Sequence, residues 1–379
     1  MTSAAPKGAH ILMLLSDAYG GFGGISQYNR DFLEALCSLP EVASVEALPR
    51  TAEQPLGALP AGLYFNLDSV GSAAKFSGIA LGRGLFGPRP DIVVCGHINL
   101  LPFAALVARI RGARLILQIH GIDAWQPTER KIVNALTGQI DLVLSVSQVT
   151  IDRYLSWASA PRRGFGILPN TVRLDHFGIA PKAHDLVDRF GLAGKRVLMT
   201  FGRMADKERA KGFDTMLEVL PALVRRDPNI VYMLCGTGDD MARLQDKAVA
   251  LGVADSAIFT GLVPEDRKAD FFRLADTYVM PSSGEGFGIV FLEAMACGIP
   301  VIASSNDGGF EAVRNGAIGI AVDPNDLAAI ETGVFKSLAQ PHEIPTGLSY
   351  FSFTNFTNRL RETLFSQTPL GVNSELASP

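Results

Sequence analysis

The sequence predicts an α/β protein built from two doubly wound parallel-sheet domains. Short β-branched apolar runs alternate with amphipathic stretches from one end of the chain to the other. The alternation restarts after the turn-rich segment "LPNTVRLDHFGIAPK" at 168–182. A length of 379 residues is too great for one compact core and suits two domains of ~100–200 residues each.

In the first half the strands fall at "HILMLL" (10–15), "DIVVCG" (91–96), "RLILQIH" (114–120) and "DLVLSVS" (141–147). In the second they fall at "RVLMTFG" (196–202), "IVYMLCG" (230–236), "AIFTG" (257–261), "TYVMP" (277–281), "PVIAS" (300–304) and "IGIAV" (318–322). Helical spacing appears between them, as in Met216, Val219, Leu220 and Leu223 of the stretch 213–226. Strands separated by helices imply right-handed crossovers and a sheet covered on both faces. Ligands of such sheets sit beyond the carboxyl ends of the strands, so working residues are expected in strand-to-helix loops and in a cleft between the two domains.

Composition excludes several classes. A formal net charge of −4 with 19% charged residues does not advertise the basic surface on which duplex binding rests, so nucleic acid is not an expected partner. The four cysteines stand singly with no C-x-x-C pair, which suggests neither a zinc site nor a disulfide framework and fits reduced thiols in a cytoplasm. The run "ILMLL" before Ser16 is shorter than a signal-peptide core of ~7–15 apolar residues. The apolar region 92–110 is broken by Gly96, His97, Asn99 and Pro102, so no membrane-spanning helix is expected.

The densest chemistry lies in "PSSGEGFGIVFLEAMACGIPVIAS", 281–304. A strand, a glycine-framed turn and a helix from about Ile289 follow one another. The first turn of that helix presents backbone N–H groups and a partial positive charge to an anion. Gly284, Gly286 and Gly288 let a ligand approach the backbone. Glu285 and Glu293 flank the turn, and ionised carboxylates accept hydrogen bonds from vicinal hydroxyls. An anion beside a polyol describes a sugar nucleotide. Glu293 is the sharper case, because a charge inside "IVFLEAMA" is costly without a partner.

The E-x₇-E segment "EGFGIVFLE", followed by "AMACGIPVIAS", resembles the donor-site signature of the family 4 retaining glycosyltransferases. "GGFGGI" (20–25), "HGID" (120–123), "LPNTV" (168–172), "GRMADKERAKG" (202–212), "CGTGDD" (235–240) and "FTGLVPED" (259–266) fall in that family's order. The resemblance implies the glycosyltransferase B fold of two facing Rossmann-like domains. Residues 1–172 would form an acceptor-binding domain and 173–349 a donor-binding domain, with the tail 350–379 returning as a helix onto the first and its last residues fraying. By the same resemblance Glu285 contacts donor-sugar hydroxyls and Glu293 the ribose. Gly286, Phe287, Gly288 and Ile289 face the sugar and diphosphate through backbone amides. Arg203 and Lys211 grip the diphosphate, where fixed cations stabilise a leaving group that gains negative charge. Seven residues separate them, more than in tighter family members. His120 contacts the donor sugar near the reacting carbon.

Other residues are read from position alone. Asp123 either orients His120 or caps the next helix. His97, at another strand end, lines the acceptor side or is structural. "GGFGGIS" fails the dinucleotide fingerprint, because Ser26 stands where G-x-G-x-x-G requires glycine. That argues against a nicotinamide oxidoreductase and leaves Gly23 and Gly24 as a lip near the donor phosphate. No D-x-D pair occurs, so the expectation is catalysis without metal or cofactor. Arginines at 108–115 and 160–165 suit peripheral contact with the inner face of a membrane.

The function expected is retaining transfer of a hexose from a nucleotide sugar to a glycan or polyprenyl-linked acceptor. GDP-mannose is the favoured donor, from a resemblance to mannosyltransferases of bacterial exopolysaccharide assembly, and a UDP-sugar is the other. Two alternatives stay open: a UDP-sugar 2-epimerase on the same fold, and a sugar-nucleotide-binding subunit without catalysis.

Overall fold

The computed structural model describes residues 8–53 and 55–366. The fraying expected of the last residues falls, from 367 on, outside them. The chain divides into two compact units, one comprising the chain up to Thr171 with the segment from Phe353, the other Val172–Ser352.

The strands are Ala9–Leu15 (β1), Val42–Pro49 (β2), Leu63–Phe65 (β3), Ile92–Cys95 (β4), Arg114–Ile119 (β5), Leu142–Ser145 (β6) and Phe165–Ile167 (β7) in the first unit. The second holds Arg196–Phe201 (β8), Ile230–Cys235 (β9), Ala257–Gly261 (β10), Thr277–Met280 (β11), Val301–Ser304 (β12) and Ile320–Val322 (β13). Among the described residues the first sheet runs β3-β2-β1-β4-β5-β6-β7 and the second β10-β9-β8-β11-β12-β13. Every pairing between these strands is parallel. Both are doubly wound: the order reverses between β1 and β4 in one and between β8 and β11 in the other, which opens a crevice at the carboxyl edge of each. The central strands are apolar throughout because helices cover both faces; all residues of β4, β6 and β9 are buried.

Three strands, β2, β3 and β7, carry no clear apolar run. β2 ends in Pro49 and includes Glu46, whose carboxylate pairs with Arg83 at 2.7 Å. β3 has three residues at the sheet edge. β7, "FGI", forms the opposite edge, under the helix Phe353–Phe365. A Cβ at Gly166 would stand 2.6 Å from Thr363 Cγ2, so glycine is what lets that helix settle on the strand. The same helix packs against the helix Gly24–Ser38, where the Tyr28 and Phe356 rings meet edge to face at 5.7 Å. Its last turn accepts a hydrogen bond from the Arg114 guanidinium to the Leu364 carbonyl, 2.7 Å. Among the described residues no helix is long and apolar enough to cross a membrane.

Candidate active site

In the second unit, the loops after β8 (202–212) and β11 (281–288) leave the sheet on either side of its reversal. Arg203 and Lys211 stand at the ends of the first loop and Glu285 in the second. Glu208 lies between the two cations: its carboxylate takes an ion pair from Arg203 and stands 3.4 Å from the Lys211 ammonium. Lys211 is also 3.9 Å from Glu285 Oε2. Arg203 remains mostly exposed, 69% of its side chain, Lys211 is largely covered, and the internal anion lies between them.

The turn that carries Glu285 is held by Asp307. Its Oδ2 accepts from Ser282 Oγ at 2.7 Å and from the Glu285 amide at 2.9 Å, while Oδ1 accepts from the Gly309 amide at 2.9 Å. Burial pushes the Asp307 carboxyl up to about 6, against the pull of those donors. Gly308 N–H donates to the Glu285 carbonyl at 2.9 Å, and a Cβ at Gly308 would overlap the Gly286 carbonyl, so the two loops touch backbone to backbone. Gly288, with φ of 87°, is the N-cap of the helix Ile289–Ala296 and brings no side chain to its first turn. The Gly288 carbonyl accepts from the Phe291 amide at 3.1 Å, and no side chain caps the amides ahead of it.

Glu293 is buried inside that helix, 5% exposed, and it has a partner. Lys268 Nζ lies 2.6 Å from its Oε1, while Oε2 is buried with no hydrogen-bond partner. Burial raises the carboxyl above its ordinary value and Lys268 opposes the rise. Both Glu285 and Glu293 lie near the buried phenol of Tyr278, whose pKa burial drives well above its usual value and both charges raise further.

Behind the 202–212 loop, Arg209 and Arg243 close on buried Asp240, and the Asp206 amide donates to Asp239 Oδ1 at 2.9 Å. The "CGTGDD" segment therefore braces the loop that positions Arg203 and Lys211.

In the first unit, the loops after β1, β4 and β5 carry Gly23, His97 and His120. Gly23, with φ of 91°, caps the helix whose first residue is Gly24, and a Cβ there would meet nothing within 4 Å. Ser26 is fully buried and its hydroxyl donates to Asp17 Oδ1 at 2.6 Å, so the group that spoils the dinucleotide fingerprint is folded inward. His97 Nδ1 accepts from the Asn99 amide at 3.2 Å, a cap on its own turn, and burial lowers its pKa. His120 Nε2 lies 3.2 Å from the Gly96 carbonyl, and its ring stands edge to face with Tyr28 at 5.0 Å. Burial, then the nearby His97, push His120 down to about 4, against the Gly96 carbonyl. A carbonyl only accepts, so Nε2 of the neutral ring carries the proton and Nδ1 keeps a lone pair. Asp123 touches the His120 backbone, not its ring: Oδ1 accepts from the His120 amide at 3.2 Å. Its Oδ2 is buried without a partner, and burial lifts the carboxyl to about 7.

The structure gathers Arg203, Lys211 and Glu285 with Glu293 nearby in one unit, and His97, His120 and Asp123 in the other. Sequence reasoning missed Glu208, Lys268 and Asp307. Asp307 had a signal, an Asp-Gly-Gly turn shortly after the apolar strand β12. Lys268 and Glu208 sit among many charges and had none.

The fold has clear relatives. The Anabaena protein HepE in complex with UDP and glucose superposes with a TM-score of 0.73 at 19% identity, over 94% of this chain and all of that one. The galactosyltransferase WaaB of the lipopolysaccharide outer core gives 0.69 at 17% identity, over 95% and 100%. The fold is that of the B-type glycosyltransferases. A model of the glycosyl transferases group 1 matches residues 190–348, and one of glycosyltransferase family 4 matches 22–176. A D-inositol 3-phosphate glycosyltransferase of Thermobispora bispora is 38% identical over 83% of this chain and 82% of its own length. A GDP-mannose-dependent alpha-(1-6)-phosphatidylinositol monomannoside mannosyltransferase of Mycolicibacterium smegmatis is 35% identical over 63% of this chain, and the match spans 65% of that relative. Its namesake in Mycobacterium tuberculosis is 29% identical over 87% and 89%. The chain belongs to glycosyltransferase family 4.

Proposed function

We propose that this chain transfers a hexose from a nucleotide sugar to an acceptor hydroxyl with retention at the anomeric carbon and without a divalent metal, and that the donor is GDP-mannose. The observation that carries the reading is the Arg203–Lys211 pair at the reversal of the second sheet, held around an internal carboxylate beside Glu285. Cations that close around one anion suit another, and a diphosphate offers more oxygens to the same two donors.

Each residue then has a task. Arg203 and Lys211 bind the diphosphate and stabilise the charge that grows as it leaves, with Glu208 displaced. The leaving phosphate oxygen takes the acceptor's proton, so no side-chain base is required. Glu285 accepts from sugar hydroxyls. Glu293 offers Oε2 to the ribose, and Lys268 keeps that carboxylate ionised although it is buried. His120, neutral and held through Nε2, offers Nδ1 to a sugar hydroxyl and is unsuited to act as a permanent cation. The choice of GDP-mannose and of an inositol-bearing acceptor over a polyprenyl-linked one follows the named activities of the relatives.

A thermal-shift screen of GDP, GDP-mannose, UDP and UDP-glucose tests the donor; a ligand at 100 times its dissociation constant adds about 2.7 kcal/mol of stability. Stabilisation by the uridine pair alone would overturn GDP-mannose. Activity is expected to persist in EDTA, and loss restored by manganese would refute the metal-free scheme. A product with inverted anomeric configuration by NMR would refute retention. Donor turnover without an acceptor would favour the epimerase.

A further inference from the structure

We propose that Asp307 is a positioning residue for the sugar end of the donor: its ionised carboxylate fixes the turn that aims Glu285, so the affinity contributed by the sugar depends on it and that contributed by the nucleotide does not. This rests on the assignment of Glu285 to the donor sugar. Asp307 is buried, 3% exposed, and its one carboxylate serves three donors on two loops. Oδ2 accepts from the Ser282 hydroxyl and the Glu285 amide at 2.7 and 2.9 Å, and Oδ1 from the Gly309 amide at 2.9 Å. The next residue completes the clasp, since Gly308 N–H donates to the Glu285 carbonyl at 2.9 Å. Both backbone polar groups of Glu285 are therefore held from the loop after β12. The turn is also walled in: a Cβ at Gly308 would overlap the Gly286 carbonyl, and one at Gly284 would stand 2.7 Å from Ala210 Cβ. The loop of Arg203 and Lys211 joins the turn by a different bond, from the Ser283 amide to the Ala210 carbonyl at 2.8 Å, in which Asp307 has no part.

A buried carboxylate is costly, and the charge that bears on this one is Glu285, of like sign. Lys211 lies beyond Glu285, 3.9 Å from its Oε2. In the helix Ile289–Ala296, Glu293 is taken by Lys268, and a Cβ at Gly309 would lie 3.1 Å from the Phe291 ring. Asparagine has the same shape without the charge, but it keeps one acceptor oxygen and turns an NH₂ toward groups that already donate. A carboxylate alone accepts from all three. Burial, with Glu285 adding to it, lifts the Asp307 carboxyl to about 6 against the pull of those donors. Above that pH the ionised group makes every bond; below it a proton occupies one oxygen and a bond is lost. The aim of Glu285 is therefore held at neutral pH and released as pH falls through about 6.

The test is calorimetry of the full-length protein and of Asp307→Asn with GDP and GDP-mannose, and in parallel with UDP and UDP-glucose. At about pH 7.5 the variant should bind the sugar nucleotide about tenfold more weakly than the wild type, and the bare nucleotide within about twofold of it. The tenfold gap should close toward one at about pH 5, where both proteins carry a neutral side chain, with its half-way point near about 6. Comparing the two proteins at each pH cancels any titration of the ligand, of Glu285 or of Glu293. Ser282→Ala removes a donor that lowers the Asp307 pKa, so its affinity for the sugar nucleotide should fall away at a higher pH than that of the wild type. That profile decides the matter if Asp307→Asn does not fold. Equal weakening of sugar nucleotide and bare nucleotide, a gap that stays constant with pH, or coincident profiles for Ser282→Ala and the wild type would overturn the proposal, since Asp307 would then only cap its own turn. Binding of neither nucleotide pair by the wild type would overturn the donor reading, and this proposal with it.

Discussion

Replacing Glu208 with glutamine is expected to tighten the binding of a nucleoside diphosphate. Glu208 pairs with both Arg203 and Lys211, and a ligand that takes those cations must break both pairs. Arg203 is largely exposed and Lys211 partly so, which puts each pair in the range of ~0.2–1 kcal/mol measured for solvent-screened ion pairs. Their sum, roughly 0.4–2 kcal/mol, is what the wild type gives up on binding, so the glutamine variant gains about 2- to 30-fold in affinity. Isothermal titration calorimetry with GDP measures it. The gain should shrink at high salt, because the pairs it removes are screened. GDP binding weakened tenfold by Glu208→Gln would refute the reasoning: Glu208 would then hold the loop in shape, or touch the ligand itself, and would not occupy the ligand's place.

Two other expectations follow from burial. Lys268→Met leaves Glu293 as an uncompensated buried charge and should cost about 3–5 kcal/mol near neutral pH by denaturant unfolding. Burial already raises the Glu293 carboxyl, so the loss should shrink as pH falls and the carboxylate takes a proton, and it should be smaller in the double variant with Glu293→Gln; a double variant as unstable as the single would refute the pairing. Asp123 carries a folded pKa of about 7 against an ordinary 3.8, so the stability it contributes is complete below about pH 4 and lost as pH rises through 7. Asp123→Asn should therefore gain on the wild type between pH 5 and pH 8, and an equal difference at both values would contradict the burial.

Most strands legible in the sequence lie inside a sheet, where residues covered on both faces must be apolar throughout, and β10 and β13, at the edges of the second sheet, were legible from short apolar runs of their own. β3 and β7 at the edges are short, β2 is mixed and ends in proline, and neighbours found elsewhere in the chain make all three strands. Arg203, Lys211, Glu285 and Glu293 were legible because they sit at fixed spacings around strand ends. Lys268 was not, and of Asp307 only the Asp-Gly-Gly turn was, since they reach their partners across 25 and 22 residues of chain.

By itself the sequence determined the alternation of strand and helix, the restart that makes two units, and the loops in which acids, cations and glycines would stand. Those are local properties, set by the period of apolar residues and by which backbone can turn. Only the tertiary structure decided that Glu208 fills the space between Arg203 and Lys211, that Lys268 permits a carboxylate inside an apolar helix, and that Gly96 sets the tautomer of His120. Each of those is an electrostatic relation that spacing along the chain leaves open, and it exists only at distances that folding creates.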